Sequence, residues 1–194
     1  MPNRIILASN NLGKLKELRE MLSPAGFVVH PQSEYSVPEA EEPYLTFVEN
    51  ALTKARHAAR ITGLSALADD SGICVDALGG KPGVISARYG GEPKSDARNN
   101  LKLIEDMAPY GNMAANFYCV LVFLRHAEDP QPVIAEGRWH GEIIVEPRGQ
   151  GGFGYDPHFW IPELKKTSAE LSPAEKNRFS HRGQAIRQLV EKLQ

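Results

Sequence analysis

Leu64-Ser65-Ala66-Leu67-Ala68-Asp69-Asp70-Ser71-Gly72 (LSALADDSG) begins apolar and ends on two adjacent carboxylates. Residues 64–68 read as a short buried strand, followed by an acidic turn and another short strand near Ile73–Asp76. Unpaired charge is expensive to bury. The pair is therefore either a solvated turn or a cation site, and its place at the end of an apolar strand keeps the second reading open. Successive side chains of a strand point to opposite faces. If strand geometry persists, Leu64, Ala66, Ala68 and Asp70 share one direction, while Ser65, Leu67 and Asp69 share the other. Only one of the two acids can then enter a given site.

Working outward, the pattern alternates between strands and helices. Arg4–Ala8 (RIILA) reads as a strand, and Leu12, Leu15, Leu18, Met21 and Leu22 fall on one face of a helix that Pro24 and Gly26 stop. Phe27–His30 is a candidate second strand. Leu45, Val48, Leu52, Ala55 and Ala59 predict a long amphipathic helix over 45–61, closed by Gly63. Beyond the acid pair come a polar helix around 94–107 and an apolar strand at Phe117–Arg125. Two further strands are expected, near 133–139 and at Gly141–Glu146. Ser172-Pro173-Ala174-Glu175 has the N-cap, N1 and first-turn residues of a helix start, and Ile186, Leu189, Val190 and Leu193 form a terminal helix face. This order implies an α/β protein with a long central sheet, with no repeat and no linker, so residues 1–194 read as a single domain.

The 194 residues carry 22 Lys and Arg against 24 Asp and Glu, a formal net charge of −2, which argues against a general nucleic-acid coat. Cys74 and Cys119 lie apart inside apolar stretches and read as buried free thiols of a reducing compartment. The opening MPNRIILASNN has too short an apolar run for a signal peptide. The longest apolar run, Phe117–Leu124, is far short of the roughly 20 residues that span a bilayer. A cytoplasmic protein without membrane or nucleic-acid partners is expected.

Three loops could hold a nucleotide. Ser9-Asn10-Asn11-Leu12-Gly13-Lys14 lies between strand and helix, where backbone N–H groups attract anions and Lys14 adds positive charge. The acids Glu41, Glu42, Glu49, Asp69 and Asp70 are of the type that Mg²⁺ takes alongside water and substrate phosphate. Phe153-Gly154-Tyr155-Asp156 with Ser180-His181-Arg182-Gly183 offers an aromatic ring for stacking and polar groups for a base edge. Each pattern alone also fits an ordinary turn or a solvated loop.

Together the segments SNNLGK, EEPYLTFVENALTKA, LADDSGICVDALGGKPGVISARYGG, GGFGYDP and AEKNRFSHRGQA resemble the inosine/xanthosine triphosphate pyrophosphatases, the Ham1/RdgB-like family. They occur in family order over nearly the whole chain. Ser9 stands where many relatives have Thr, and Pro43-Tyr44 replaces a more usual Thr-Gly. The resemblance implies an elongated mixed central sheet flanked by helices, with two lobes around a nucleotide-binding cleft, and a homodimer. It also implies Mg²⁺-dependent hydrolysis of dITP, ITP or XTP to monophosphate and pyrophosphate. Carried over, Ser9, Asn10, Asn11, Leu12, Gly13 and Lys14 hold phosphates, Asp70 is the catalytic acid, and Asp70 with Glu41 holds the metal. Ser71 contacts substrate, and Phe153, Gly154, Tyr155, Asp156, Lys176, His181 and Arg182 form the nucleoside pocket. Lys54 is a further phosphate contact. A Maf-like nucleotide pyrophosphatase and a non-catalytic purine-nucleotide regulator are the alternatives.

Overall fold

The computed structural model of the protein describes residues 3–194. Met1 and Pro2, the first residues of the stretch read as lacking a leader pattern, lie outside it. The elements are β1 (Asn3–Leu7), α1 (Leu12–Leu22), β2 (Phe27–Pro31), α2 (Phe47–Thr62), β3 (Ala66–Val75), α3 (Asp96–Met107), β4 (Ala114–Leu124), β5 (Val133–Ile143), β6 (Phe159–Ile161), β7 (Lys166–Thr167), α4 (Pro173–Phe179) and α5 (His181–Leu193). The strands form one open mixed sheet in the order β2-β1-β3-β4-β5-β6-β7. β1 pairs in parallel with β2 and β3, while β5–β6 and β6–β7 are antiparallel.

Two expectations are corrected, both by glycine. Asp69 and Asp70 do not sit in a turn; β3 runs unbroken through them and through Ser71-Gly72 to Val75. Gly72 is there for close approach, since a Cβ on it would lie 2.4 Å from both the Gly83 carbonyl and Ser86 Oγ. Likewise β5 is one strand over Val133–Ile143 and not two. A Cβ on Gly141 would meet the Trp160 carbonyl at 2.5 Å, so this glycine lets β6 lie against β5 and does not end the strand.

α2 begins two residues later than the periodicity suggests. Thr46 caps it by accepting from the Glu49 backbone N–H, and Gly63 closes it in the left-handed region at φ 68°. Its buried residues are Asn50, Ala51, Ala55, Ala58 and Ala59, a face that is mostly alanine. Leu45 precedes the helix and is 90% exposed. The terminal helical region is broken at Ser180, so that α5 starts on His181.

The chain divides into two compact units. One comprises the chain up to Asp70, Cys119–Gly137 and Arg182–Gln194; the other is Ser71–Tyr118 with Arg138–His181. The first has a core of Ile5, Leu7, Leu18, Leu22, Leu67, Leu121, Ile186 and Leu189, among others. The second is more aromatic, around Phe117, Trp139, Tyr155 and Phe159 with Ile73 and Leu103. Among the described residues no helix is long and apolar enough to cross a membrane.

Candidate functional site

The first unit carries the charged residues. Asp69 and Asp70 are 1% and 6% exposed and, as neighbours in β3, they face opposite ways. Asp69 is fully engaged. Its Oδ1 lies 2.5 Å from Lys14 Nζ, and its Oδ2 accepts from Arg182 Nε at 2.7 Å and from Cys119 Sγ at 3.4 Å. Arg182 also pairs through Nη1 with Glu17 of α1. Burial would raise the Asp69 pKa, but the Arg182 guanidinium and the Lys14 ammonium outweigh it and hold the carboxyl well below the usual range.

Asp70 is different. Its Oδ1 accepts from Lys54 Nζ at 2.7 Å, whereas its Oδ2 is buried with no partner. Burial pushes this carboxyl up, against the pull of Lys54 and Lys14. Lys54 in turn reaches Glu42 at 2.6 Å and the Asp69 carbonyl at 3.0 Å. Burial would lower the Lys54 pKa, but Asp70 and Glu42 overcome this and raise it. A buried acceptor left open beside a shared ammonium is costly unless something else uses it.

Next to these acids, the Ser9–Lys14 loop closes β1 and opens α1. Asn11 caps the helix by accepting from the Lys14 backbone N–H at 3.0 Å, and its own N–H donates to Ser9 Oγ at 3.1 Å. Asn10 Nδ2 donates to Glu39 at 3.2 Å, and Leu12 is 78% exposed on the first turn. Leu12 and Gly13 present their N–H groups at the positive end of α1.

Of the two candidate glutamates, Glu42 is brought to Asp70 through Lys54. Glu41 is exposed and lines an open cavity of about 440 Å³ with Tyr44, Arg56 and His57. Among the described residues no three His, Cys, Asp or Glu side chains come together. Asp70 and one glutamate nevertheless fit Mg²⁺, which is commonly held by one or two carboxylates, with water and substrate phosphate completing the shell. The open Asp70 Oδ2 is the oxygen such an ion would take.

The second unit carries the ring-binding candidates. Asp156 organises the loop: its Oδ2 accepts from Lys176 Nζ at 2.6 Å and from the Phe153 N–H at 2.9 Å, and its Oδ1 from Ser168 Oγ at 2.8 Å. Lys176 Nζ lies 4.8 Å from the centre of the Phe153 ring. Phe153 is half-buried. Tyr155 is 4% exposed, with its hydroxyl donating to the Ser86 carbonyl at 2.8 Å, so it acts as core. His181 stacks on Phe117 at 4.8 Å and 12°. Ser71, half-buried, follows Asp70 in β3.

Phe153, Gly154, Tyr155, Asp156, Lys176 and His181 therefore belong to one compact unit. Arg182, expected beside them, is placed on Asp69 and Glu17. Glu17, Ser168, Asp96 and Asn100 carry no sequence signal of their own. Glu17 is visible only as an acid on the α1 turn between Leu15 and Leu18, and the other three lie outside every recognised segment.

An open mixed sheet with one charged and one aromatic residue set defines the class, an α/β protein with a layered sheet–helix core. The comparisons narrow it further. The Ham1 family model matches residues 5–192, and the chain belongs to that family. It is 64% identical over 193 residues to a protein of Ralstonia nicotianae named dITP/XTP pyrophosphatase, covering 98% of this chain and 96% of that one. A protein of the same name from Nitrosomonas europaea is 63% identical over 191 residues, covering 98% and 94%. The solved HAM1 protein of Coxiella burnetii superposes with a TM-score of 0.91 at 49% identity, covering 98% of each chain. The Ham1 structure from Staphylococcus aureus gives 0.87 at 39%, covering 98% and 97%.

Proposed function

We propose that the protein hydrolyses non-standard purine nucleoside triphosphates (dITP, XTP and ITP) to the monophosphate and pyrophosphate. Family membership and the names of close relatives support the reaction. The observation that carries it in this chain is the open, buried Oδ2 of Asp70 beside Lys54.

In this reading, water attacks the α-phosphorus and the bond to the pyrophosphate oxygen breaks. Asp70 orients the water and accepts its proton, for which a pKa raised by burial is suited. Lys54 and Lys14 offer ammonium groups to phosphate oxygens, and the Ser9–Lys14 loop offers its N–H groups at the start of α1. Asp70 with a glutamate of the 41–42 pair would hold Mg²⁺, whose chemistry is neutralisation of charge on the phosphate oxygens. Glu41 is the ligand the family resemblance implies, whereas Glu42 already shares Lys54 with Asp70.

Phe153 offers a face for the base, and Lys176 and His181 offer donors for its edge. Hypoxanthine and xanthine carry a carbonyl at C6, which accepts; the amino group of adenine would face a donor instead. The family resemblance also supports a homodimer, which sedimentation of the purified protein checks.

The deciding experiment is a nucleotide panel with and without Mg²⁺, separating pyrophosphate from orthophosphate. Pyrophosphate from dITP, XTP and ITP, far faster than from ATP or GTP and only with Mg²⁺, is expected. Orthophosphate as the product, or equal turnover of ATP, overturns the reading.

A further inference from the structure

We propose that Asp96 and Asn100 are positioning residues that set the Phe153 loop for base binding. This rests on the reading of Phe153–Asp156 as the base site. The two residues stand one turn apart on α3 and therefore share a face. Both act on one residue. Asp96 Oδ2 accepts the Gly154 N–H at 2.7 Å, and Asn100 Nδ2 donates to the Gly154 carbonyl at 3.0 Å.

Gly154 needs such a grip. Its φ is +63°, a region that glycine enters and leaves easily, and it has no side chain to pack. The Phe153 N–H is already held by Asp156, at 2.9 Å. Asp96 fixes the next N–H along the chain, so the backbone on both sides of the Phe153 ring is anchored. Without Asp96 and Asn100 the peptide after Phe153 can rotate, and the ring loses its fixed direction.

Adjacent asparagines on α3 separate this role from mere stabilisation. Asn99 is buried with both amide atoms paired: its Oδ1 accepts from the Gly90 N–H at 2.7 Å and its Nδ2 donates to the Ala87 carbonyl at 3.0 Å. Asn100 is not so paired. Its Oδ1 is buried without a partner, and turning the amide over would set that oxygen against the Gly154 carbonyl. An unmet buried acceptor lowers stability. Asn100 therefore costs the fold something, and holding Gly154 is what it does in return.

The test is steady-state kinetics on dITP, inhibition by inorganic triphosphate, and thermal unfolding, for wild type, Asp96→Ala, Asp96→Asn and Asn100→Leu. Asp96→Ala and Asn100→Leu are expected to raise KM about tenfold, the worth of one good hydrogen bond to an ionised or buried group, with kcat within about twofold. Asp96→Asn, whose amide oxygen still accepts, should return KM to near wild type. Inhibition by inorganic triphosphate, which has no base, should be unchanged throughout, and Asn100→Leu should melt no lower than wild type. An active wild type whose variants keep its KM, or lose triphosphate inhibition in parallel, overturns the inference alone. A wild type inert towards dITP overturns the base-site reading and takes the inference with it.

Discussion

The two faces of β3 treat adjacent aspartates in opposite ways. On one face Asp69 meets Lys14, Arg182 and Cys119, and its charge is satisfied. On the other, Asp70 keeps one buried oxygen open and shares Lys54 with Glu42. Both acids are almost completely covered, so burial alone does not distinguish them. Completeness of pairing does. A buried carboxylate with every partner in place is fixed and inert, whereas one with an open oxygen pays a standing cost that only a ligand or a reaction relieves.

The sharpest way to break this contrast is Asp70→Asn. Loss of a positioned proton acceptor typically costs 10²–10⁴-fold, so kcat on dITP should fall by roughly that factor. Stability should stay within about 1 kcal/mol of wild type. The neutral amide is easier to bury at this site, and Lys54 retains Glu42. Near-normal kcat would remove Asp70 from the chemistry and dissolve the comparison.

Asp69→Asn is the converse. It removes one of the two acids paired with the buried Arg182 guanidinium, leaving Glu17, and takes the carboxylate from the Lys14 ammonium. Removing one partner from a buried charge cluster costs about 3–5 kcal/mol. Urea unfolding should show that loss, while kcat of the fraction that remains folded stays within about tenfold of wild type. If Asp69→Asn instead kills turnover and leaves the midpoint unmoved, the two faces have been assigned the wrong way round.

A smaller perturbation tests the strand that carries both acids. In Gly72→Ala the new methyl meets a backbone carbonyl at 2.4 Å, and a carbonyl cannot rotate away as a side chain can. The expected cost is about 1–3 kcal/mol by urea unfolding, as for other overpacked sites. An unchanged midpoint would mean that the Gly83–Ser86 turn yields freely, and that the direction of β3 beyond the acids is loosely held.

How much of this was readable in the chain depends on the range of the interaction. The alternation that divides Asp69 from Asp70 is a local property of any strand, and it follows from LSALADDSG as soon as strand geometry is assumed. The Ser9–Lys14 turn and the start of α1 are equally local, set by an asparagine cap. Strand continuity was not readable. Gly72 and Gly141 look like breaks until the segments that press against them are known, and Gly141 is matched by Phe159 and Trp160, far along the chain. The partners were hidden for the same reason. Glu17 and Arg182 are 165 positions apart, and Asp96 and Gly154 are 58 apart. Motifs show which side chains are special; only the fold shows what satisfies them.

Asp129 provides the mildest test, because it is a satisfied buried acid remote in sequence from β3. Its carboxylate accepts from Arg125 Nε at 2.7 Å and Nη2 at 2.6 Å, and from the N–H groups of Arg125 and Gln131 at 3.0 Å each. The Arg125 guanidinium holds it below the usual carboxylate range, against the effect of its own desolvation. A depressed folded pKa means that the stabilisation is fully present above the unfolded value, near 3.9, and is lost as pH falls through the folded value. Arg125 is 56% exposed on its side chain, so solvent screening keeps the contribution at pH 7 small. Asp129→Asn should therefore lower the urea midpoint slightly and equally at pH 7 and pH 5. The gap from wild type should begin to close as pH drops below about 4, where the unfolded chain takes up the proton first, and should vanish as pH falls through the folded value and the wild-type carboxyl loses the same charge. A gap that persists unchanged at the acid end would show that the clasp holds through shape and neutral hydrogen bonds. Complete pairing, and not charge, would then be what makes a buried acid inert in this fold, on the Asp69 face of β3 as well.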